Sequence, residues 1–136
     1  MADVTVVAAE VLPDSGTVTQ TGTLGGTVTA GQTVYKDANG TYQAADANAS
    51  ATTATVAGIA MTGGVSGQPF IFTSADCTLD PGFTVTVGAV YVQSATPGGI
   101  APVADLLSGL RTTIIGVGLT ASKLQVKIYN SLTAVP

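Results

Sequence analysis

The chain has 136 residues, of which 9% are charged, with a formal net charge of −4 and no histidine. That length suits one domain, and the charged share is far below the roughly 25% of an ordinary soluble domain. The basic residues Lys36, Arg111, Lys123 and Lys127 are scattered and form no stripe, which argues against nucleic-acid binding by phosphate neutralisation and against attraction to an anionic membrane surface.

The mean hydropathy of +0.47 comes from Ala, Val, Thr and Gly. A free monomer normally shows water a more charged surface than this, so part of the surface is expected to be covered by other chains. No apolar stretch reaches the length of a membrane span without interruption. The start, Met1-Ala-Asp3, lacks the positive region of a signal peptide. The single cysteine, Cys77, allows no intrachain disulfide. This fits synthesis in a reducing compartment, with Cys77 as a small buried apolar residue.

Residues 1–25 read as an extended arm. Val4 to Leu12 is β-prone, Pro13-Asp-Ser-Gly16 is a turn signal, Thr17-Val-Thr19 is β-prone again, and Gly22, Gly25 and Gly26 make the chain loose before Thr27. Thr27–Val34, TVTAGQTV, is then echoed by Thr84–Val90, TVTVGAV. Thr27, Val28, Thr29 and Gly31 recur at a constant offset as Thr84, Val85, Thr86 and Gly88, and each copy runs into Val-Tyr. A repeat seen twice predicts one duplicated β unit rather than a solenoid.

Within the first copy, period two predicts a half-buried strand at Thr27–Thr29, a bend at Ala30-Gly31-Gln32 and a second strand at Thr33–Lys36. Asp37-Ala-Asn-Gly40 is a tight turn, with Tyr42 closing the hairpin. Asp46–Ala54 fits a loop or a single helical turn capped by Asp46. Thr55–Met61 reads as a buried strand with Gly58 at a bulge or close approach. Phe70 and Phe72 share one face of the strand that closes the unit. Ser74–Phe83 links the copies, with Leu79-Asp-Pro-Gly82 as a turn. In the second copy, Val103–Gly109 is the one segment with a plausible helical turn. The closing strand alternates Leu124, Val126 and Ile128 against Lys123, Gln125 and Lys127, the pattern of an antiparallel strand with one wet face.

The expected fold is all-β: a small barrel or β-clip-like domain of two similar β units, about 26–73 and 83–130 within 26–136, preceded by the arm at 1–25. Gly31, Gly58, Gly88 and Gly116 would serve at its bends.

Catalytic constellations are sparse. Without histidine there is no Ser-His-Asp or Cys-His set, and Glu10 is the only glutamate. Asp37, Asp46 and Asp80 stand in turn contexts. Gly116-Val-Gly-Leu-Thr-Ala121 matches the outline of a dinucleotide loop but runs into a strand rather than a helix. Asp37-x-Asn39-Gly40 lacks the later ligands of a calcium loop. Asn39-Gly-Thr41 and Asn48-Ala-Ser50 match a glycosylation sequon that matters only on secretion. Tyr35, Tyr42, Tyr91 and Tyr129 read as wall residues before a stacking platform. The sequence therefore reads as a non-enzyme needing no cofactor or metal.

Thr29–Tyr42 (T-x-G-Q-x-V-Y-x-D-x-x-G-x-Y), Val56–Ala60 (V-A-G-I-A), Thr86–Ser94 (T-V-G-A-V-Y-V-x-S) and Gly98–Asp105 together resemble the small capsid decoration, or cement, proteins of tailed bacteriophages. The resemblance covers roughly residues 24–130. It implies a small β protein, often trimeric, made in the bacterial host cytoplasm and placed on the virion exterior. There it would bind the major capsid protein and lock neighbouring capsomers. An N-terminal arm that adds a strand to the capsid protein would make contact through Val4, Val6, Val7, Val11 and Leu12. The alternative is a receptor- or glycan-binding β module of a phage tail or fibre, which would show exposed aromatic or carboxylate clusters on its loops.

Overall fold

The computed structural model describes residues 3–14, 17–47, 51–74, 76–105 and 108–134. Among the described residues, eleven strands run in the order β1 (Val11–Pro13), β2 (Gln20–Thr23), β3 (Thr33–Lys36), β4 (Tyr42–Ala44), β5 (Gly58–Ala60), β6 (Pro69–Thr73), β7 (Cys77–Pro81), β8 (Val90–Gln93), β9 (Ile100–Pro102), β10 (Arg111–Thr120) and β11 (Lys123–Ala134). One helical turn, α1 (Ala51–Ala54), lies between β4 and β5, and short 3₁₀ segments occupy Ala8–Glu10 and Val103–Asp105. The all-β reading holds. The barrel does not: the strands form two open antiparallel sheets, β1-β7-β11-β10-β8-β9 and β2-β6-β5-β3-β4.

Leaving β1 aside, the strand orders of the two sheets correspond. The succession β2-β6-β5-β3-β4 in one sheet has β7-β11-β10-β8-β9 as its counterpart in the other. The equivalence extends to single hydrogen bonds. Gly31 N–H donates to Ala60 C=O and Gly88 N–H to Gly118 C=O, both at 2.8 Å; Val28 N–H donates to Gly64 C=O and Val85 N–H to Ala121 C=O. Gly31 and Gly88 both adopt positive φ, 89° and 80°, a conformation that costs a side-chain-bearing residue steric strain. The echoed sequence is thus a crossing segment pinned to its sheet. The strand predicted at Thr27–Thr29 reduces to a bridge between Val28 and Gly64, and Thr84–Thr86 lies outside any strand.

The main core lies between the sheets. Ala45, Val56 and Ile59 from the first pack against Leu79, Val85, Tyr91, Ile100, Ile115, Leu124 and Val126 from the second. Full burial of each such aliphatic side chain contributes about 1.5–3 kcal/mol of transfer free energy. A second cluster, Leu24, Val28, Val34, Ala60, Phe70 and Phe72, fills the other face of the smaller sheet. Phe70 and Phe72 do share that face, with ring centroids 5.2 Å apart, and Tyr42 leans on both. The closing strand alternates as expected: Leu124 and Val126 are fully buried, and Gln125 and Lys127 are exposed.

Other expectations also need correction. The linker 74–83 is largely strand. Asp80-Pro81 continues β7, and the turn comes at its end, where Gly82 has φ 79° and donates its N–H to Asp80 Oδ1. The predicted strand 55–61 narrows to Gly58–Ala60, where a Cβ on Gly58 would stand 2.5 Å from the Thr73 carbonyl. The arm has partners within the chain. β1 pairs with β7, β2 pairs with β6, Val4 N–H donates to Ile100 C=O, and Val7 N–H donates to Gly82 C=O. Reading 79–82 as a turn hid the sheet edge that receives β1.

The Asn39-Gly40 hairpin forms between β3 and β4, with Lys36 opposite Tyr42. The helical turn starts at Ala51, and Asp46 is tied to it through its backbone, its N–H bonding Thr53 C=O. Ser15-Gly16 of the first predicted turn, Asn48–Ser50 with their sequon, and Leu106-Leu107 of the predicted helical segment lie outside the described residues. Cys77 is only partly buried, its Sγ 3.7 Å from Thr73 Oγ1.

Candidate interaction surface

Strand register fixes which side chains leave the larger sheet on its outer face. Leu79, Leu124, Val126 and Tyr91 point into the core, so their neighbours along each strand point out. Leu12 stands opposite Asp80, Thr78 opposite Gln125, Gln125 opposite Val117, and Val117 opposite Val90. A second row pairs Tyr129 with Ile114 and Ile114 with Val92, of which Tyr129 is exposed, Ile114 half-buried and Val92 fully buried. The apolar members stand well clear of the surface: Leu12 is 57% exposed, Leu119 50% and Tyr129 66%. Val87 is exposed in the neighbouring turn, where Gly88 N–H donates to Gly118 C=O and Ala89 C=O accepts from Gly118 N–H.

Gly116 and Gly118 explain why β10 presents this face. Their inward sides are crowded by the backbones of Gln125 and Thr86, leaving no room for a Cβ. In Ile-Ile-Gly-Val-Gly-Leu the glycines therefore occupy the inner side, and Val117 and Leu119 must point out. That alternation of glycine with apolar residues was the signal in the sequence for these two positions. A register shift between Ile114 and Gly116 bends the strand there, the role expected of Gly116.

Charged side chains share this face: Asp80 stands opposite Leu12, and Lys127 lies between Gln125 and Tyr129 along β11. Lys123 Nζ meets Asp14 Oδ1 at 2.5 Å, and Lys127 lies 3.8 Å from Asp76. Thr78, Gln125 and the exposed apolar side chains complete the face.

The five arm residues named as contacts divide. Val4 packs against the main core, Val11 is 6% exposed, and Val6 lies against Gly31. Only Val7 and Leu12 face outward, and Leu12 joins the apolar face of the sheet. Further ties hold the arm: Asp3 Oδ1 accepts from Ser94 Oγ at 2.5 Å, and Asp14 meets Lys123.

Two clefts flank the arm. One, of about 300 Å³, is lined by Val7, Glu10, Asp80 and Phe83, among others; the second, of about 230 Å³, includes Asp3, Val4, Gln32 and Gly98. Asp80 Oδ1 already accepts from Gly82 N–H. Among the described residues no group of three or more His, Cys, Asp or Glu could hold a metal ion, and no helix is long and apolar enough to cross a membrane. The tyrosines do not share a platform. Tyr91 is buried with its hydroxyl accepting from Thr86 N–H, Tyr42 belongs to the second core, Tyr35 packs on the first, and Tyr129 projects from the outer face.

Asp37 carries the most perturbed carboxylate. The Thr41 hydroxyl and the Gln43 amide donate to it, with the Thr41 and Asn39 backbone N–H groups, and its pKa falls from 3.8 to about 2. It serves the hairpin turn. The chain matches no protein-family model and no curated protein.

Proposed function

We propose that this chain is a structural head decoration protein of the tailed-phage kind, a two-unit β-clip-like domain that seats on the outer capsid surface and braces neighbouring capsomers. The observation that carries the reading is the outer face of the larger sheet, where Leu12, Val117, Leu119 and Tyr129 stand exposed. Large apolar side chains gathered in the open on one sheet face are the form of a protein-contact surface. The sequence likeness at Thr29–Tyr42 and Thr86–Ser94 supplies the class of partner, the major capsid protein, and with it the homotrimer and the virion exterior. In this reading the exposed Leu12 and Val7 are the arm residues that take part.

The test is co-sedimentation with expanded heads that lack decoration. The wild-type chain should pellet with the heads at saturating stoichiometry. Leu119→Asp combined with Leu12→Asp should lose that binding while keeping the circular dichroism and melting temperature of the parent. No pelleting by the wild type, or undiminished pelleting by the double variant, would overturn the proposal.

A further inference from the structure

The two units join their outer strands differently. In the first, the two edges of the sheet meet: Leu24, just past β2, bridges Tyr42 of β4, and Gly25 N–H donates to Tyr42 C=O at 2.8 Å. The repeat gives the counterparts of these residues. Gly25 stands ahead of Thr27 as Gly82 stands ahead of Thr84. Ala60 and Gly118 accept from Gly31 and Gly88, and the residues just before them pair alike, Ile59 with Thr33 and Val117 with Val90. Further along those strands Lys36 therefore corresponds to Gln93, and their cross-strand partners are Tyr42 and Ile100.

Among the described residues, the bond between Gly25 and Tyr42 has no equivalent in the second unit. Gly82 N–H goes to Asp80 Oδ1, and Ile100 C=O accepts from Val4 N–H at 2.9 Å. Gly82 C=O accepts from Val7 N–H at 2.8 Å. The arm thus bonds both sides of a seam that the first unit closes by itself. The floor of the seam leaves room for its valines. A Cβ on Gly31 would meet Val6 Cγ1 at 2.5 Å and Val11 Cγ2 at 3.0 Å; one on Gly82 would meet Val11 Cγ2 at 2.9 Å and Val6 Cγ1 at 3.3 Å. Val4 packs against the main core. No charge falls between Val4 and Ala9, and the two clefts lie on either side of this line of contact. Main-chain bonds with side chains in fitted places are how sheets bind extended peptides.

We propose that this seam is a strand-binding site with the arm as its ligand, an extended segment that offers two backbone N–H groups and valines at positions 4, 6 and 11. Its own chain supplies the segment here, and a second molecule of the chain supplies it when the seam is emptied. The contacts set the chemistry of the ligand. Ile100 and Gly82 present carbonyls, so the ligand must donate from its backbone at two places. A charge at Val4 or Val6 would enter an apolar space unpaired and is refused. Small β-branched side chains fit where the glycines make room. Val7 and Leu12 still face outward from the bound arm, so the seam is separate from the contact surface proposed above.

The test cuts the arm loose in the folded protein. A protease site inserted between Ser15 and Gly16 of the full chain, cleaved after folding, leaves the arm held by its contacts alone. Excess dye-labelled peptide of residues 1–14 should then exchange into the body and give a saturable rise in anisotropy. The same peptide with Val4→Asp and Val6→Asp should give none, and the uncleaved chain, its seam filled by a tethered arm, should take up far less of the parent peptide. Thermal melts of a chain lacking residues 2–13 give a second reading. Its melting temperature should lie below the parent's and climb with peptide concentration, as binding to the folded state requires. If that chain is unfolded alone, the peptide should restore its circular dichroism. Cleaved, folded protein that takes up no peptide, takes up both peptides alike, or keeps its parental melting temperature once the arm is washed out would overturn the proposal. Neither measurement involves a capsid, so its outcome is separate from that of the head-binding test.

Discussion

The Asn130 side chain meets the Val56 peptide as a neighbouring strand would. Its Oδ1 accepts from Val56 N–H at 2.9 Å and its Nδ2 donates to Val56 C=O at 3.2 Å. Val56 is 3% exposed, so water cannot easily replace either bond. Asn130→Ala should therefore cost about 1–3 kcal/mol, the penalty for stranding buried backbone groups. Asn130→Asp keeps the acceptor and loses the donor, and should also destabilise. Urea unfolding checks both, and wild-type midpoints would mean that the bridge carries no stability.

A second polar device lies in the interior. The Thr33 hydroxyl donates to Gln93 Oε1, and Gln93 Nε2 donates to Ala45 C=O at 2.8 Å and to Ser94 C=O at 3.1 Å, with Thr33 and Gln93 fully buried. These bonds join the two sheets. Gln93→Leu should lower stability by about 2–3 kcal/mol, since it leaves several buried groups unpaired at once. Gln93→Glu should be poorer still near neutral pH, where a buried charge replaces an amide. Thermal melts of the two variants rank these effects.

The closing strand offers a paired test of register. Val126 is fully buried and Gln125 exposed, one residue apart. Val126→Lys should cost more than about 4 kcal/mol, enough to unfold most small domains. Gln125→Lys should stay within about 0.5 kcal/mol. Equal melting temperatures would refute the assignment.

The Asp37 turn predicts a pH dependence. Its carboxyl titrates at about 2 in the folded chain against 3.8 ordinarily, chiefly because the Thr41 hydroxyl and the Gln43 amide donate to the charged form. A depressed folded pKa means the contribution is complete above the unfolded value and is lost as pH falls through about 2. The urea midpoint should decline between pH 4 and about 2, and Asp37→Asn should flatten that part of the decline. A carboxyl midpoint near the ordinary value in an NMR titration would contradict the geometry.

The arm should behave as part of the domain. Val4 and Val7 amides, bonded to Ile100 and Gly82, should exchange slowly in the isolated protein. Removing residues 2–13 strips β1 from β7 and should lower the melting temperature. Unprotected amides with an unchanged melt would mean that the arm lies outside the folded domain.

Local pattern was enough for the elements that depend on neighbours in sequence. The alternation at Lys123–Ile128, the Asn39-Gly40 turn and the shared face of Phe70 and Phe72 all come from the two-residue period of a strand and from turn chemistry. What depended on distant partners was not legible. Asp80-Pro81 reads as a turn until Val11 and Leu12 are laid beside it, because Pro81 has no N–H to offer and signals a break. Nothing near Gln93 marks it as buried, since its partners Thr33 and Ala45 lie in the other unit. The burial of part of the arm was hidden for a related reason: Val4, Val6 and Val11 are β-prone because their own domain uses them. Tyr129 escapes a sequence reading because an exposed apolar residue cannot be told from a core one without its register.

The place of β7 between β1 and β11 has a mechanical consequence. β1 and β11 each run antiparallel to β7, so they run in the same direction, and a pull between the two ends of the chain drags them in opposite senses along a shared middle strand. Hydrogen bonds in such ladders lie across the strands, so the load falls on both ladders together and does not open them one bond at a time. Stretched by its ends in an optical trap, the domain should resist in shear and yield in one abrupt step. Pulled from the start of β1 against the near end of β7, it should unzip at much lower force.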